Sequence, residues 1–127
     1  MTKAIIIIVA VIGAIAGKFI VSKAFTKSID EQIKIQCEKI NKNTPMQIDP
    51  VTRLDKATSS PGEIQYHYTL TGIKELSDQQ KSALETNTRR QVKVSPDLKP
   101  FRDNGIDMSY LYRDESGAEI HRFTVKH

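Results

Sequence analysis

Cysteine is almost absent from this sequence, since Cys37 is the single one among 127 residues. One cysteine cannot form an intrachain disulfide, and it cannot supply a zinc site built from cysteine ligands. No cysteine lies directly after the apolar N-terminal run, which excludes lipidation at that point. Cys37 lies on the apolar stripe of a predicted helix, so we interpret it as a small buried residue rather than as the source of an intermolecular disulfide.

Motifs for catalysis are also lacking. The sequence has no glycine-rich phosphate loop and no G-x-S-x-G, H-E-x-x-H or C-x-x-C motif. His67 and His121 fall in the middle of predicted strands, and two histidines without a fixed carboxylate are a weak metal site. The aspartates beside predicted turns are typical caps of backbone N–H groups: Asp49, Asp55, Asp107 and Asp114. We therefore predict a protein that is not an enzyme and that has no catalytic residues, no cofactor and no metal.

The longest apolar run, Ala4–Ala16, lies close to the start of the sequence. Extended through Gly17 and past Lys18, it reaches about 18 residues, or roughly 27 Å as a helix, which is close to the hydrocarbon thickness of a bilayer. We predict a transmembrane signal anchor over residues 1–22. A cleaved signal peptide is the alternative, because Ala14-Ile15-Ala16 resembles a cleavage site, and a buried helix of a soluble protein is a third interpretation.

The excess of basic residues is concentrated around this run. Lys3, Lys18 and Lys23 lie in or beside it, and the rest of the chain has 16 basic and 15 acidic residues. Lysines next to a membrane favour anionic headgroups, so we predict contact with the lipid bilayer and no binding of nucleic acid. The count of lysines favours a cytoplasmic domain, whereas the short N-terminal tail is typical of a signal anchor. We predict a single-pass inner-membrane protein whose C-terminal domain is periplasmic.

Small residues recur on one face of the predicted anchor, at Ala10, Gly13, Ala14 and Gly17. Such faces let two helices approach closely in lipid, so they predict self-association of the membrane helix and a homodimer. The alternative is that small residues simply fill the anchor.

An amphipathic helix continuous with the anchor is predicted over residues 23–43, because no proline or glycine interrupts this segment. Its apolar residues recur every three or four positions and include Ile29, Ile33 and Ile40. The stripe either docks on the sheet of its own domain or packs against a second copy. If the sheet leaves it partly uncovered, the same three isoleucines are candidates for contact with a partner helix.

Beyond Thr44-Pro45 the pattern changes to the alternation of strands, and residues 44–127 are predicted to form one domain. Two hairpins are separated by a helix that a capping box, Ser77-Asp78-Gln79-Gln80, begins. The order is helix–hairpin–helix–hairpin. We predict an α+β fold with two layers, in which helices cover one face of a four-stranded antiparallel sheet.

Four tyrosines occupy alternating positions of two predicted strands: Tyr66, Tyr68, Tyr110 and Tyr112. Tyrosines at such spacing fill the core beneath helices, with hydroxyls at its rim, or they form an exposed aromatic strip that binds a partner. They are therefore candidate partner-binding residues. An exposed strand edge is a further candidate.

Two segments carry a resemblance to a known family: TPMQIDPVTRLDKATSSPGEIQYHYTL and VKVSPDLKPFRDNGIDMSYLYRDESGAEI. Their hairpins, the Pro-x-Leu-Lys turn and the Asp-x-x-Gly turn resemble those of small exported proteins of Gram-negative bacteria, the type II secretion pilotins of the Vibrio and pathogenic Escherichia type. The resemblance implies a pilotin-like α+β domain. It also implies a disulfide whose first cysteine would fall near Val92–Val94, where this chain has none. Nor is there an acylation site, so the lipoprotein role of such pilotins is not expected here.

These observations predict a non-catalytic, membrane-anchored periplasmic module that binds a protein partner, as an accessory to a secretion or envelope assembly. The alternative is an immunity or superinfection-exclusion factor that binds an incoming toxin or phage protein. A carrier of a lipid or small molecule is a third class, but it requires an apolar pocket that so small a domain seldom has.

Overall fold

The computed structural model describes residues 28–126 apart from the side chain of Asp97. The described helices are α1 (Ile29–Asn41), α2 (Asp78–Val94) and α3 (Lys99–Asp103), with a short 3-10 turn at Pro96–Leu98. The strands are β1 (Met46–Asp49), β2 (Thr52–Ser60), β3 (Glu63–Leu70), β4 (Asp107–Asp114) and β5 (Glu119–Val125). The predicted α+β class is confirmed.

The strands form one five-stranded sheet in the order β1-β2-β3-β4-β5. The pair β3 and β4 is parallel, with Glu63 opposite Asp107 and Leu70 opposite Asp114, and the other pairs are antiparallel. The prediction of a four-stranded antiparallel sheet is therefore wrong, because the sheet has one more strand and is mixed.

Two local features explain this correction. The carboxylate of Asp49 accepts hydrogen bonds of 2.9 Å from the backbone N–H groups of Val51 and Thr52. This turn divides the first extended segment into two strands, β1 and β2. Helices α2 and α3 then carry the chain from the end of β3 back to the end of the sheet where β3 began, and such a crossover gives a parallel neighbour.

The core lies between one face of the sheet and the two longer helices. Alternate residues of β3, β4 and β5 point to this face, and Tyr66, Tyr110 and Phe123 are all 7% exposed or less. Helix α1 packs mainly on β2 and β3, and α2 packs on β5. Ile33 of α1 and Leu84 of α2 are buried in the same hydrophobic cluster.

Side-chain hydrogen bonds fix α1 on the sheet at both of its ends. Near its start, Asp30 accepts a 2.9 Å hydrogen bond from the N–H of Gly62 in the β2–β3 turn. At its last residue, Asn41 both donates to the carbonyl and accepts from the N–H of Ala57, at 2.8 Å each. Ala57 follows an irregularity in the pairing of β2 with β3, so Asn41 satisfies a backbone position next to a bulge.

The predicted transmembrane anchor, residues 1–22, and the start of the predicted amphipathic helix lie outside the described residues. Within residues 28–126 no helix combines the length and the apolar character needed to cross a membrane. The small-residue face of Ala10, Gly13, Ala14 and Gly17 also lies outside this range, so self-association stays a prediction.

Candidate functional site

The four predicted tyrosines are brought together inside the core. Their rings stack in pairs across the parallel strands, with centroids 5.3 Å apart for Tyr66 and Tyr110 and 4.9 Å apart for Tyr68 and Tyr112. Each side chain is 1% exposed or less. Burial raises the pKa of all four phenols above the usual value. In the isolated chain these rings are therefore packing residues, and their contact with a partner stays a prediction.

The isoleucine stripe of α1 faces the same core. Ile33 and Ile40 are 0% and 1% exposed, and Ile29 is partly buried against the hydrophobic cluster. Between them, Cys37 is also buried, and burial followed by the charge of Glu38 raises its pKa to about 11. A thiol in this state is a poor nucleophile at neutral pH. In the described domain the stripe docks on its own sheet, and its contact with a partner helix has not been tested.

The aspartates singled out from the sequence serve different local structures. Asp49 caps its turn. Asp114 accepts hydrogen bonds from Ser116 and Ala118 in the β4–β5 turn, and these bonds lower its pKa, with desolvation opposing them. Asp55 bonds to Arg53 and Thr69 on neighbouring strand positions. These carboxylates stabilise turns and strand pairs.

The two histidines occupy different surroundings. His121 lies next to α2, where its Nε2 is 2.9 Å from a carboxylate oxygen of Glu85, and its ring is 5.4 Å from that of Phe123. His67 lies on the other face of the sheet, beside Arg113. Among residues 28–126 no group of three or more metal-ligating side chains is assembled.

A hydrogen-bonded network crosses the face of the sheet opposite the tyrosines. We call it the open face, since the described helices pack on the other side. Its members are Thr58, Glu63, Gln65, His67, Ser109, Arg113 and Thr124. Thr69 lies on the same face and bonds separately to Asp55. The central side chains are shielded by their neighbours, and His67, Thr69 and Ser109 are at most 9% exposed.

Hydrogen-bond chemistry fixes the protonation of His67 in this network. Nη1 of Arg113 lies 3.1 Å from Nδ1 of His67, and a guanidinium can only donate, so Nδ1 carries no proton. The ring proton is then on Nε2, which donates to the hydroxyl of Thr58 at 2.8 Å, and Thr58 donates in turn to Gln65 at 2.7 Å. Burial, with the charges of Arg113 and Lys56, lowers the pKa of His67.

Glu63 holds the other end of the network. It accepts hydrogen bonds from Ser109, from Ser60 at 2.8 Å and from Gln65 at 3.2 Å. Burial alone would raise the pKa of this carboxyl, but the three hydrogen bonds and the charge of Lys126 lower it. The network thus orders a neutral histidine and an ionised glutamate along the same strand, β3, which gives the open face a fixed polar surface.

A second surface lies between α2 and the edge strand β5. It is a groove of about 610 Å³, which we call the basic groove, lined by Thr86, Arg89, Arg90, Val92, Lys93, Arg102, Val125 and Lys126. Thr86, Arg89, Arg90 and Lys93 are spaced i, i+3, i+4 and i+7, so they share one face of α2. Five of the eight lining residues are basic, and none of the eight is acidic.

Two of these arginines are held by the fold itself. Arg102 donates to the carbonyls of Val92 and Ser95 at 2.8 and 2.5 Å, and so satisfies backbone groups at the end of α2. Arg89 donates to the carbonyl of Thr124 on β5 at 3.2 Å and lies 3.4 Å from Glu85.

The other three cations of the groove have no such role. Arg90 reaches only the side-chain oxygen of Asn87, at 3.4 Å. Among the side chains that the structure describes, no carboxylate lies within 4 Å of Arg90, Lys93 or Lys126. Lys126 also acts on Glu63, whose pKa its charge lowers, so the charges of Arg90 and Lys93 are the ones most available to a ligand.

Sequence reasoning did not identify either surface as a site. The open face depends on the parallel register, which puts Arg113 beside His67, and no local pattern contains that information. The basic residues of α2 recur at helical spacing in the sequence, but that spacing does not show that β5 forms the other wall of a groove. Both surfaces can make hydrogen bonds and ion pairs with a partner.

Comparison with protein families assigns most of this chain to a family. Residues 27–121 match the family described as "Domain of unknown function (DUF8479)". A comparison with curated proteins finds no match to this sequence.

Solved structures of similar fold include two pilotins. The pilotin EpsS of the Vibrio vulnificus type 2 secretion system superposes with a TM-score of 0.60 at 14% identity, over 76% of this chain and 86% of its own. The type II secretion system pilotin AspS of Vibrio cholerae gives 0.59 at 12% identity, over 76% and 86%. A candidate secreted protein of Pseudomonas aeruginosa gives 0.57 at 14% identity, over 77% and 93%. The predicted pilotin-like fold is confirmed.

Proposed function

Since this chain belongs to the DUF8479 family and has a pilotin-like fold, we propose that it is a non-catalytic protein-binding module, an accessory of a secretion or envelope assembly. The observation that carries the proposal is the likeness to two pilotins, each covered over 86% of its length. A fold alone does not determine a function, so the surfaces of this chain must supply the binding.

Polar groups of the described domain favour recognition over catalysis. His67 is held neutral between Arg113 and Thr58, and Glu63 is occupied by three hydrogen bonds. Cys37 is buried with a raised pKa. A general base or nucleophile needs a free, positioned lone pair, whereas these groups are tied into the fold. Arg90 and Lys93 of the basic groove, which pair with no carboxylate among the described side chains, are by contrast suited to a partner.

We propose in addition that the domain acts in the periplasm, at the inner membrane. The apolar run Ala4–Ala16 supports this location, because a segment of that character either anchors a protein or exports it. The protein partner would then be a component of the cell envelope.

The proposal is tested by photocrosslinking the full chain in living cells. A photoreactive amino acid replaces Lys93 in the basic groove. In a matched control chain it replaces Lys42, which is exposed directly after the last residue of α1 and does not line the groove. We expect Lys93 alone to give a specific adduct, and mass spectrometry to identify a secretion or envelope protein in it.

Other adducts have defined meanings. An adduct with a toxin or phage protein would support the immunity or exclusion alternative and contradict an accessory of secretion. Adducts with abundant cytoplasmic proteins would overturn the proposal. The same holds if the purified full chain turns over a substrate and a mutation in the open face abolishes that turnover.

A further inference from the structure

We propose that the basic groove binds an acidic segment of a partner protein, in which carboxylates alternate with apolar side chains. This inference deepens the proposed function and rests on it, since it names the kind of partner surface that the module recognises.

Charge is the first argument. Arg90, Lys93 and Lys126 converge on one groove, and no described carboxylate within 4 Å neutralises them. Like charges brought together raise the local positive potential, and they attract a ligand of opposite sign. A segment with two or more carboxylates would lower this repulsion, whereas a neutral segment would leave it unchanged.

Shape is the second argument. The volume of about 610 Å³ lies in the range of clefts that bind ligands. Val92 and Val125 line the groove between the cations and are nearly buried, so its floor is apolar. An extended segment presents its side chains alternately, and the apolar ones can cover this floor while the acidic ones reach the rim.

The surroundings of the groove favour a narrow protein segment over an anionic membrane. Asp30 contacts Gly62, Asp107 donates its N–H to the carbonyl of Gly62, and Val125 pairs with the residue after Asp107. Asp30 and Asp107 therefore lie at the same end of the sheet as Val125 and the groove. A flat anionic surface laid on this end would meet these carboxylates as well, whereas none of the eight residues that line the groove is acidic.

Only some cations of the groove can be replaced without disturbing the fold. Arg102 and Arg89 bond to backbone carbonyls, so their replacement would disturb α2 and β5 directly. Arg90 and Lys93 are exposed and make no ion pair with a described carboxylate. They can be reversed in charge with little effect on packing.

The test uses the full chain in nanodiscs of zwitterionic lipid and a fluorescent peptide of alternating glutamate and leucine. The double variant R90E/K93E is compared with K42E/K74E, which makes the same change of charge at exposed sites away from the groove. We expect the wild type and K42E/K74E to bind the peptide alike, and R90E/K93E to bind it about tenfold more weakly. Binding should weaken with added salt, and a glutamine–leucine peptide should bind poorly.

Three outcomes would overturn the inference. They are equal loss of binding in both double variants, equal binding of the glutamine peptide, and preference of the wild type for vesicles of anionic lipid over the glutamate peptide. The photocrosslinking experiment is separate. If Lys93 still captures an envelope protein while the acidic peptide fails to bind, the proposed function stands and only the acidic character of the segment is rejected.

Discussion

At the scale of single residues, the core contains tyrosine hydroxyls that make no hydrogen bond with a described residue. The hydroxyls of Tyr66, Tyr110 and Tyr112 are buried without a hydrogen-bond partner among the described residues. A buried hydroxyl that has lost water and found no partner costs about 1–3 kcal/mol. The stacked rings and their apolar contacts must offset this cost.

Replacement of Tyr110 separates the cost of its buried hydroxyl from the stabilisation by its stacked ring. Tyr110→Phe removes the unpaired hydroxyl and keeps the ring, so we expect the free energy of unfolding to stay constant or to rise by up to about 1 kcal/mol. Tyr110→Ala removes the stacking with Tyr66 and Phe123 as well and should cost about 3–5 kcal/mol. Urea denaturation of the full chain in detergent measures both values. A loss above about 1 kcal/mol for Tyr110→Phe would mean that the hydroxyl has a partner.

His67 makes the stability depend on pH. Its pKa is lowered in the folded chain, first by burial and then by Arg113 and Lys56, with Asp55 opposing them. The unfolded chain therefore binds the proton more readily, at a pKa of about 6.5. The stability that neutral His67 provides is full above that pH and is lost as the pH falls through the folded pKa.

The variant His67→Gln tests this dependence. A glutamine can still bond to Thr58 but does not titrate, so the variant should lose less stability than the wild type between pH about 6.5 and 5.5. The stability that ionised Glu63 provides is still full in this window and is lost only below pH about 4.5, because its pKa is lowered from 4.5 in the folded chain. Denaturation midpoints measured across this window decide the matter, and parallel curves for both proteins would rule out His67 as the cause.

At the scale of elements, the contact between α1 and the sheet depends on one fully buried side chain. Ile33 is 0% exposed, whereas its neighbour Lys34 is exposed. We expect Ile33→Glu to lower the free energy of unfolding by several kcal/mol, on the order of 3–5, because it places a charge in the core. Lys34→Glu is the matched control and should change it by less than about 0.5 kcal/mol. Unchanged stability of Ile33→Glu, measured by urea denaturation, would mean that the stripe does not dock.

The end of α1 is joined to the sheet by Asn41. Its side chain satisfies both backbone groups of Ala57 beside the irregular pairing of β2. Asn41→Ala leaves these groups without their partner and should cost about 1–3 kcal/mol. Asn43→Ala removes only an exposed 3.4 Å contact and serves as the control in the same denaturation assay. Hydrogen exchange at the N–H of Ala57 should rise in the first variant alone.

Elements also show how far local sequence patterns could predict this molecule. The alternation around Tyr66 and Tyr110 predicted two strands, and the capping box at Ser77 is present at the start of α2. The parallel pairing of β3 with β4 could not be read from these patterns, because alternation identifies a strand but not its neighbour. The open face follows from that pairing. The basic groove was partly visible in the spacing of Arg89, Arg90 and Lys93, but its other wall is β5, and only the fold brings it there.

At the scale of the whole molecule, the basic groove and the start of α1 lie at the same end of the sheet. Asp30 contacts the turn at Gly62, and this turn lies at the end where β5 finishes at Val125. The chain therefore enters the described domain at the same end of the sheet as the groove. If residues 1–22 hold the protein at the membrane, a partner segment in the groove would lie near the membrane as well.

The side of the membrane on which the domain folds decides which partners can reach this groove. Fusion of alkaline phosphatase, which is active only outside the cytoplasm, to the C-terminus of the full chain tests the proposed location. We expect an active fusion in the membrane fraction. Replacement of Ile6, Ile7 and Ile8 by arginine interrupts the apolar run and should abolish that activity, because arginine at the centre of a membrane segment costs about 2.5–3.5 kcal/mol per residue. A cytoplasmic reporter fused at the same point serves as the converse control. If the cytoplasmic reporter is active in the wild type and the phosphatase is not, the domain faces the cytoplasm. The periplasmic location is then excluded, and so is a partner on the periplasmic side of the inner membrane.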